Sequence, residues 1–173
     1  MTDAPLEAAR MKKSGFKSKL AVTSLDKKIA ELASQSDHRI LAVWAADCAE
    51  RTLPYFERNH PKDDRPRKAI VACREWACSG VFRMADVRKV SLAAHAAARQ
   101  VKGDDAARSA ARAAGQAMAT AHVPSHARAA AVYAATAVRD AASPAGAETA
   151  ALKEREWQYR HLLELGKISK QFP

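Results

Sequence analysis

The stretch KDDRPRKAIVACREW, Lys62 to Trp76, gathers Asp63, Asp64, Arg65 and Arg67 around Pro66 and then turns into an apolar-periodic run. Asp64 or Arg65 falls at a helix-cap position, and Pro66 brings the fixed dihedral that suits a first helical turn, so acid and proline are explained by the helix start. The arginines are not. Arg67 and Arg74 stand seven residues apart, two turns along one face, where fork-shaped guanidinium donors can hold a carboxylate or phosphate between them. In the preceding apolar-periodic segment Asp47 and Arg51 form an i, i+4 pair with Glu50 beside them. Arg67 or Arg74 is therefore expected to reach a carboxylate across the molecule, Asp47 being the first candidate.

A second set lies further along. His95 and Arg99 share one helix face, and Arg108, Arg112 and Gln116 share a face of the next helix. Where such faces meet they make a polar, arginine-lined seam between alanine-rich walls, a receptor for an anion; turned outward they are ordinary solvated stripes. His122 and His126 have the spacing of a helical metal pair, but Val123-Pro124 interrupts the turn between them and no third ligand is in view. Neither a metal nor a cofactor is expected. Tyr133, two turns beyond His126, shares its face and can close the same pocket.

Catalytic chemistry has little to work with. The chain has no G-x-S-x-G elbow, no P-loop, no H-E-x-x-H and no diagnostic pair of carboxylates. Cys48 or Cys73 with His95 can be drawn as nucleophile and base, yet both cysteines fall on apolar helix faces and read as small core residues. The expectation is a binding protein without a catalytic centre.

These groups must be positioned by helices. Thr23 or Ser24 caps a first one carrying Leu25, Ile29 and Leu32 and ending near Ser34. A second starts at Asp37, with Ile40, Leu41, Trp44, Ala45 and Cys48 at helical spacing, and should end or kink near Pro54. NHPKDDRP is a loop, followed by a helix from about Pro66 to Cys78 that Gly80 ends. The fourth runs from about Met84 to Lys102 and stops at Gly103, and the fifth opens at Asp104 and Asp105 and continues to about His122. Val123 and Pro124 break the pattern, a sixth helix reaches about Ala142, and Ser143, Pro144 and Gly146 form a loop before a last helix from roughly Glu148 to Leu165. Seven helices with short connections and no alternating strand predict an all-α fold, a compact bundle or irregular array. The alanine-rich segments look alike but show no fixed period, which argues against a solenoid.

Composition sets the frame. At 173 residues the chain is long enough for one domain with a real core. Residues 1–22 carry Arg10, Lys12, Lys13, Lys17 and Lys19 against only Asp3 and Glu7, which reads as a mobile basic arm ahead of a single helical domain over 23–173. Alanine is concentrated after Met84, so helices can approach closely, with Trp44, Trp76, Trp157, Tyr55, Phe56, Tyr133 and Tyr159 as the large anchors. Three cysteines without a C-x-x-C pair suggest neither a disulfide framework nor a zinc knuckle, and a reducing cytoplasm fits best. The first twenty residues lack the apolar stretch of a signal peptide, and no membrane span is expected. A net charge of +10 favours an acidic protein surface, a small anion or nucleic acid as partner. Nucleic acid would be held nonspecifically through the basic arm, since no helix-turn-helix or stacking platform is visible.

Taken in order, LAVWAADCAERTLPYFE, DDRPRKAIVACREWA, SLAAHAAARQV, AARAAGQAMATAHVPSHARAAAVYAA and KEREWQYRHLLEL resemble the bacterial family of putative immunity proteins with an immunity type five-like domain, over about Asp37 to Leu165. DDRPRKAI and ATAHVxxHAxxAAxYAA carry the most specific part of that resemblance. It implies an all-helical cytoplasmic protein that protects its producer from a toxin, with Asp47, Arg51, Asp64, Arg65, Arg67, Trp76, His95, Arg99, His122, His126, Tyr133 and Trp157 as signature positions. A protein of this charge is a poor match for a basic nuclease toxin and a better one for an acidic toxin surface or a small anionic target. Three functions follow: neutralisation of a toxin by binding, binding of a small anionic or aromatic ligand in a pocket lined by arginine and histidine, and charge-driven association with nucleic acid.

Overall fold

A computed structural model describes residues 24–171. The basic arm expected over residues 1–22 lies outside the described residues. Seven helices make up nearly all of the rest: α1 Ser24–Ser34, α2 His38–Glu57, α3 Arg65–Ser79, α4 Met84–Gln100, α5 Asp105–Ala119, α6 His126–Ala141 and α7 Ala147–Gln171. No strand occurs among the described residues.

The small side chains decide which helix sits in the middle. On α5 Ala106, Ala107, Ala110, Ala111, Ala113, Ala114, Gly115 and Ala117 are all buried, so the helix packs against α2, α3, α4 and α6 with mostly methyl groups on its own side of each contact. Such a helix presents no large ridge, and neighbours can close on it from several sides. Each buried methyl contributes only about 0.8 kcal/mol, so the core depends on number. The large anchors come from α2, where Trp44, Leu53 and Phe56 are fully buried and the helix meets α3, α5, α6 and α7. Trp76, Tyr133, Trp157 and Tyr159 are only partly buried against that core.

Helix ends follow local chemistry. Asp37 caps α2 by accepting the Arg39 backbone N–H at 2.8 Å, and Asp104 caps α5 by accepting that of Ala107 at 2.9 Å. Gly80 closes α3 with φ +68°, a left-handed backbone that favours glycine; the nearest atoms a Cβ there would meet belong to the movable Arg39 guanidinium. Pro54 does not end α2, which continues one turn to Glu57; only the last turn has to tolerate the missing N–H. Asp64 stands at the cap of α3 but makes no side-chain cap bond. The carboxylate of Asp63 takes the Arg65 N–H instead, at 3.2 Å, and Asp64 pairs with Lys68 at 2.9 Å. The fourth helix stops at Gln100 and the fifth at Ala119, each a little before the expected end.

Candidate functional site

The polar side chains gather in two places. The first joins α2, α3 and α7. Asp47 turns away from Arg51 and divides its carboxylate, Oδ1 forming an ion pair with Arg74 Nη1 at 2.8 Å and Oδ2 accepting from His161 Nε2 at 2.7 Å. Arg74 also pairs with Glu50. Arg51 crosses to α7, where its guanidinium donates to both oxygens of Glu154, from Nη2 at 2.9 Å, and lies 3.9 Å from the centre of the Trp157 ring. The expected i, i+4 pair of Asp47 and Arg51 is thus replaced by two contacts between helices, because α7 offers each residue a less exposed partner.

Behind these contacts the cluster becomes a buried network. Gln158, fully buried, donates from Nε2 to the Ala131 carbonyl at 3.0 Å and accepts from Arg155 Nη1 at 2.7 Å. Arg155 in turn donates from Nε to Asp26 on α1 at 2.8 Å. Trp44 donates to the Gln158 backbone carbonyl at 2.9 Å. Every member has a partner, as a buried polar network requires, and the result ties α1, α2, α3, α6 and α7 together. It leaves little for a ligand. Asp26, Glu154, Arg155, Gln158 and His161 were not among the expected site residues.

The second place is a cleft of about 450 Å³ between α4, the end of α5 and the start of α6. His95, His122, His126 and Gln116 meet there, with Ser91 and Arg88 on the α4 side. Met84, Val87 and Leu92 supply its apolar wall. The approach of α4 to α5 is tight: a Cβ on Gly115 would stand 2.8 Å from the His95 ring, and Ser91 Oγ donates to the Gly115 carbonyl at 2.9 Å. A glycine on α5 is what lets the imidazole lie flat against that helix. His126 Nδ1 donates to Gln116 Oε1 at 2.7 Å, which leaves Nε2 as its lone-pair nitrogen. His95 Nδ1 is buried with no hydrogen-bond partner. The His122 ring stacks near Phe82, centroids 6.3 Å apart.

Burial, then the charges of Arg112, Arg99 and His126, push the His95 pKa below its ordinary value, and burial, then His122, does the same for His126. Both imidazoles are neutral near pH 7. Burial pushes the Cys73 thiol up to about 12 and also raises that of Cys48, with Glu154 and Asp47 adding to the Cys48 shift, so neither supplies a nucleophile. Among the described residues no group of three or more His, Cys, Asp or Glu is placed to hold a metal ion.

The expected site residues therefore separate. His95, His122 and His126 do converge, with Arg99 and Arg112 near enough to act on His95 through their charge, but Arg99, Arg112 and Tyr133 do not line the cleft. Tyr133 packs against the core instead, so it does not close the pocket. His122 precedes α6 and His126 begins it, so the two are not successive turns of one helix. Asp47, Arg51 and Arg74 belong to the α2–α3–α7 cluster. Arg67 and Arg74 do not share one anion: Arg67 donates from Nε to Glu57 at 2.6 Å, and Arg74 makes the expected contact with Asp47. Met84 and Leu92, which line the cleft, and Phe82, which stacks on its His122, were not among the expected site residues.

The described residues form a helical bundle with a polar lock between α2, α3 and α7 and an open cleft beside α4. The family model described as Imm-5 like putative immunity protein matches residues 31–165. The chain belongs to that family. No curated protein and no solved structure matches it. Among the described residues no helix is long and apolar enough to cross a membrane.

Proposed function

We propose that the protein neutralises a toxin by binding it, without catalysis, through the surface around the α3–α4 connection and the α4–α5–α6 cleft. The observation that carries this reading is where apolar surface is left uncovered. Val81, Phe82, Met84 and Leu92 are 67%, 41%, 44% and 50% exposed; Met84 and Leu92 line the cleft, Phe82 stacks on the His122 ring that lines it, and Val81 is the preceding residue of the connection. Among the described residues the other exposed large apolar side chains, Val71, Val132 and Leu152, fall on three different helices. A grouped apolar patch with a polar rim is the usual form of a protein-binding surface, and an aromatic at its centre is the usual hot spot. Family membership supplies the kind of partner, a toxin, and the charge of +10 favours an acidic one.

The test is a growth assay. Toxin candidates from the producing cell are expressed in a sensitive host with and without this protein. At least one should arrest growth alone and be tolerated in its presence, and Phe82→Asp should remove that tolerance while leaving the folding midpoint unchanged. Protection by Phe82→Asp equal to wild type would refute the surface, and protection against none of the candidates would refute the function.

A further inference from the structure

The cleft at the centre of that surface has a chemistry of its own. None of its lining residues is acidic, whereas Arg88, His95, His122 and His126 are all among them. The charged and titratable groups acting on it come from every helix that forms it: Arg88, His95 and Arg99 from α4, Arg112 from α5, His122 from the α5–α6 junction and His126 from α6. Within this basic surround His95 Nδ1 is buried and unpaired. The apolar part of the lining, Met84, Val87 and Leu92, comes from α4, the helix that also carries Arg88 and His95.

We propose that this cleft receives a carboxylate carried on an apolar segment of the toxin, an aspartate, glutamate or chain-terminal carboxylate beside an aromatic or aliphatic side chain. The inference rests on the toxin-binding reading and names the group recognised. The apolar neighbour lies along Met84 and Leu92 while the carboxylate faces the imidazoles and Arg88. Burial first, and then the charges of Arg112 and Arg99, keep His95 neutral; arriving negative charge offsets those charges, so His95 takes up a proton as the complex forms and its N–H groups become charge-assisted donors. Binding therefore tightens as pH falls towards the histidine range.

The test uses 3-phenylpropionate as probe, with its alcohol and amine counterparts, titrated into the full-length protein while the histidine ring protons are followed by NMR. The expected result is saturable shifts of the His95, His122 and His126 signals, affinity for the carboxylate at least about tenfold above the alcohol, and tighter binding at pH 6 than at pH 7.5. Arg88→Gln, at an exposed position that the fold does not need, should weaken the carboxylate and leave the alcohol unchanged. Equal affinity for carboxylate and alcohol, or shifts confined to other histidines, would overturn the proposal. So would a probe that binds but does not compete with a neutralised toxin, which would assign the cleft to a free carboxylate. If Phe82→Asp still abolishes protection when the probe fails, the toxin-binding reading survives and only the carboxylate site falls.

Discussion

Asp47 on α2 holds Arg74 on α3 through Oδ1 and Nη1 at 2.8 Å, and its second oxygen is already taken by His161 of α7. One carboxylate thus joins three helices. Asp47→Ala leaves the imidazole without its acceptor and the guanidinium with Glu50 alone, and should lower stability by about 1–2 kcal/mol in urea denaturation. Arg67→Ala removes a pair whose arginine is half exposed, and should cost no more than about 0.5–1 kcal/mol.

Glu154 makes a sharper case, because its side chain is only 4% exposed and Arg51 is its counter-charge. Arg51→Ala should destabilise by about 2–3 kcal/mol, chiefly by leaving a buried carboxylate uncompensated. Adding Glu154→Gln should restore part of that loss, since a neutral amide is cheaper to bury. A double-mutant cycle by thermal melting checks the sign of the coupling.

How far these contacts were legible in the sequence depends on what kind of pattern they make. The helices were, because apolar spacing, caps such as Asp37 and Asp104 and stops such as Gly80 and Gly103 are local signals. The contact of Arg74 with Asp47 was also within reach, since opposite charges on adjacent helices have few places to go. The polar lock on α7 was not: Glu154, Arg155 and Gln158 lie on the same buried stripe as Ala151 and Leu162, and polar residues at core spacing read as a solvated face unless they are taken as a network. The His95 seat was hidden for a different reason. It depends on Gly115 of another helix, a pairing that no local spacing encodes.

Cysteine chemistry gives an independent check on burial. Cys73 Sγ lies 3.1 Å from the Ala117 carbonyl and Cys48 is fully enclosed, while Cys78 is exposed. Iodoacetamide at pH 8 should label Cys78 alone in the native protein and all three cysteines in guanidinium chloride, as read by peptide mass spectrometry. Native labelling of Cys73 at a rate close to that of Cys78 would mean that the α2–α3–α5 packing is wrong.

The histidines fix the direction of the pH response. His95 and His126 lie below their ordinary value of 6.5 in the folded state, so as pH falls through about 6.5 the unfolded chain takes up protons first. Stability contributed by the two neutral rings is complete above that pH and is lost progressively down to the depressed folded values. Denaturation midpoints should drop between pH 7 and pH 5, and His95→Gln, neutral throughout, should show a shallower decline.

The most direct measurement is the calorimetric Kd of a neutralised toxin for wild type, Phe82→Asp and Arg67→Ala. A surface centred on the cleft mouth predicts that Phe82→Asp weakens binding at least about thirtyfold while Arg67→Ala binds like wild type and all three proteins melt cooperatively. An unchanged Kd for Phe82→Asp, with affinity lost in Arg67→Ala instead, would place recognition on the α2–α3 side and contradict the account.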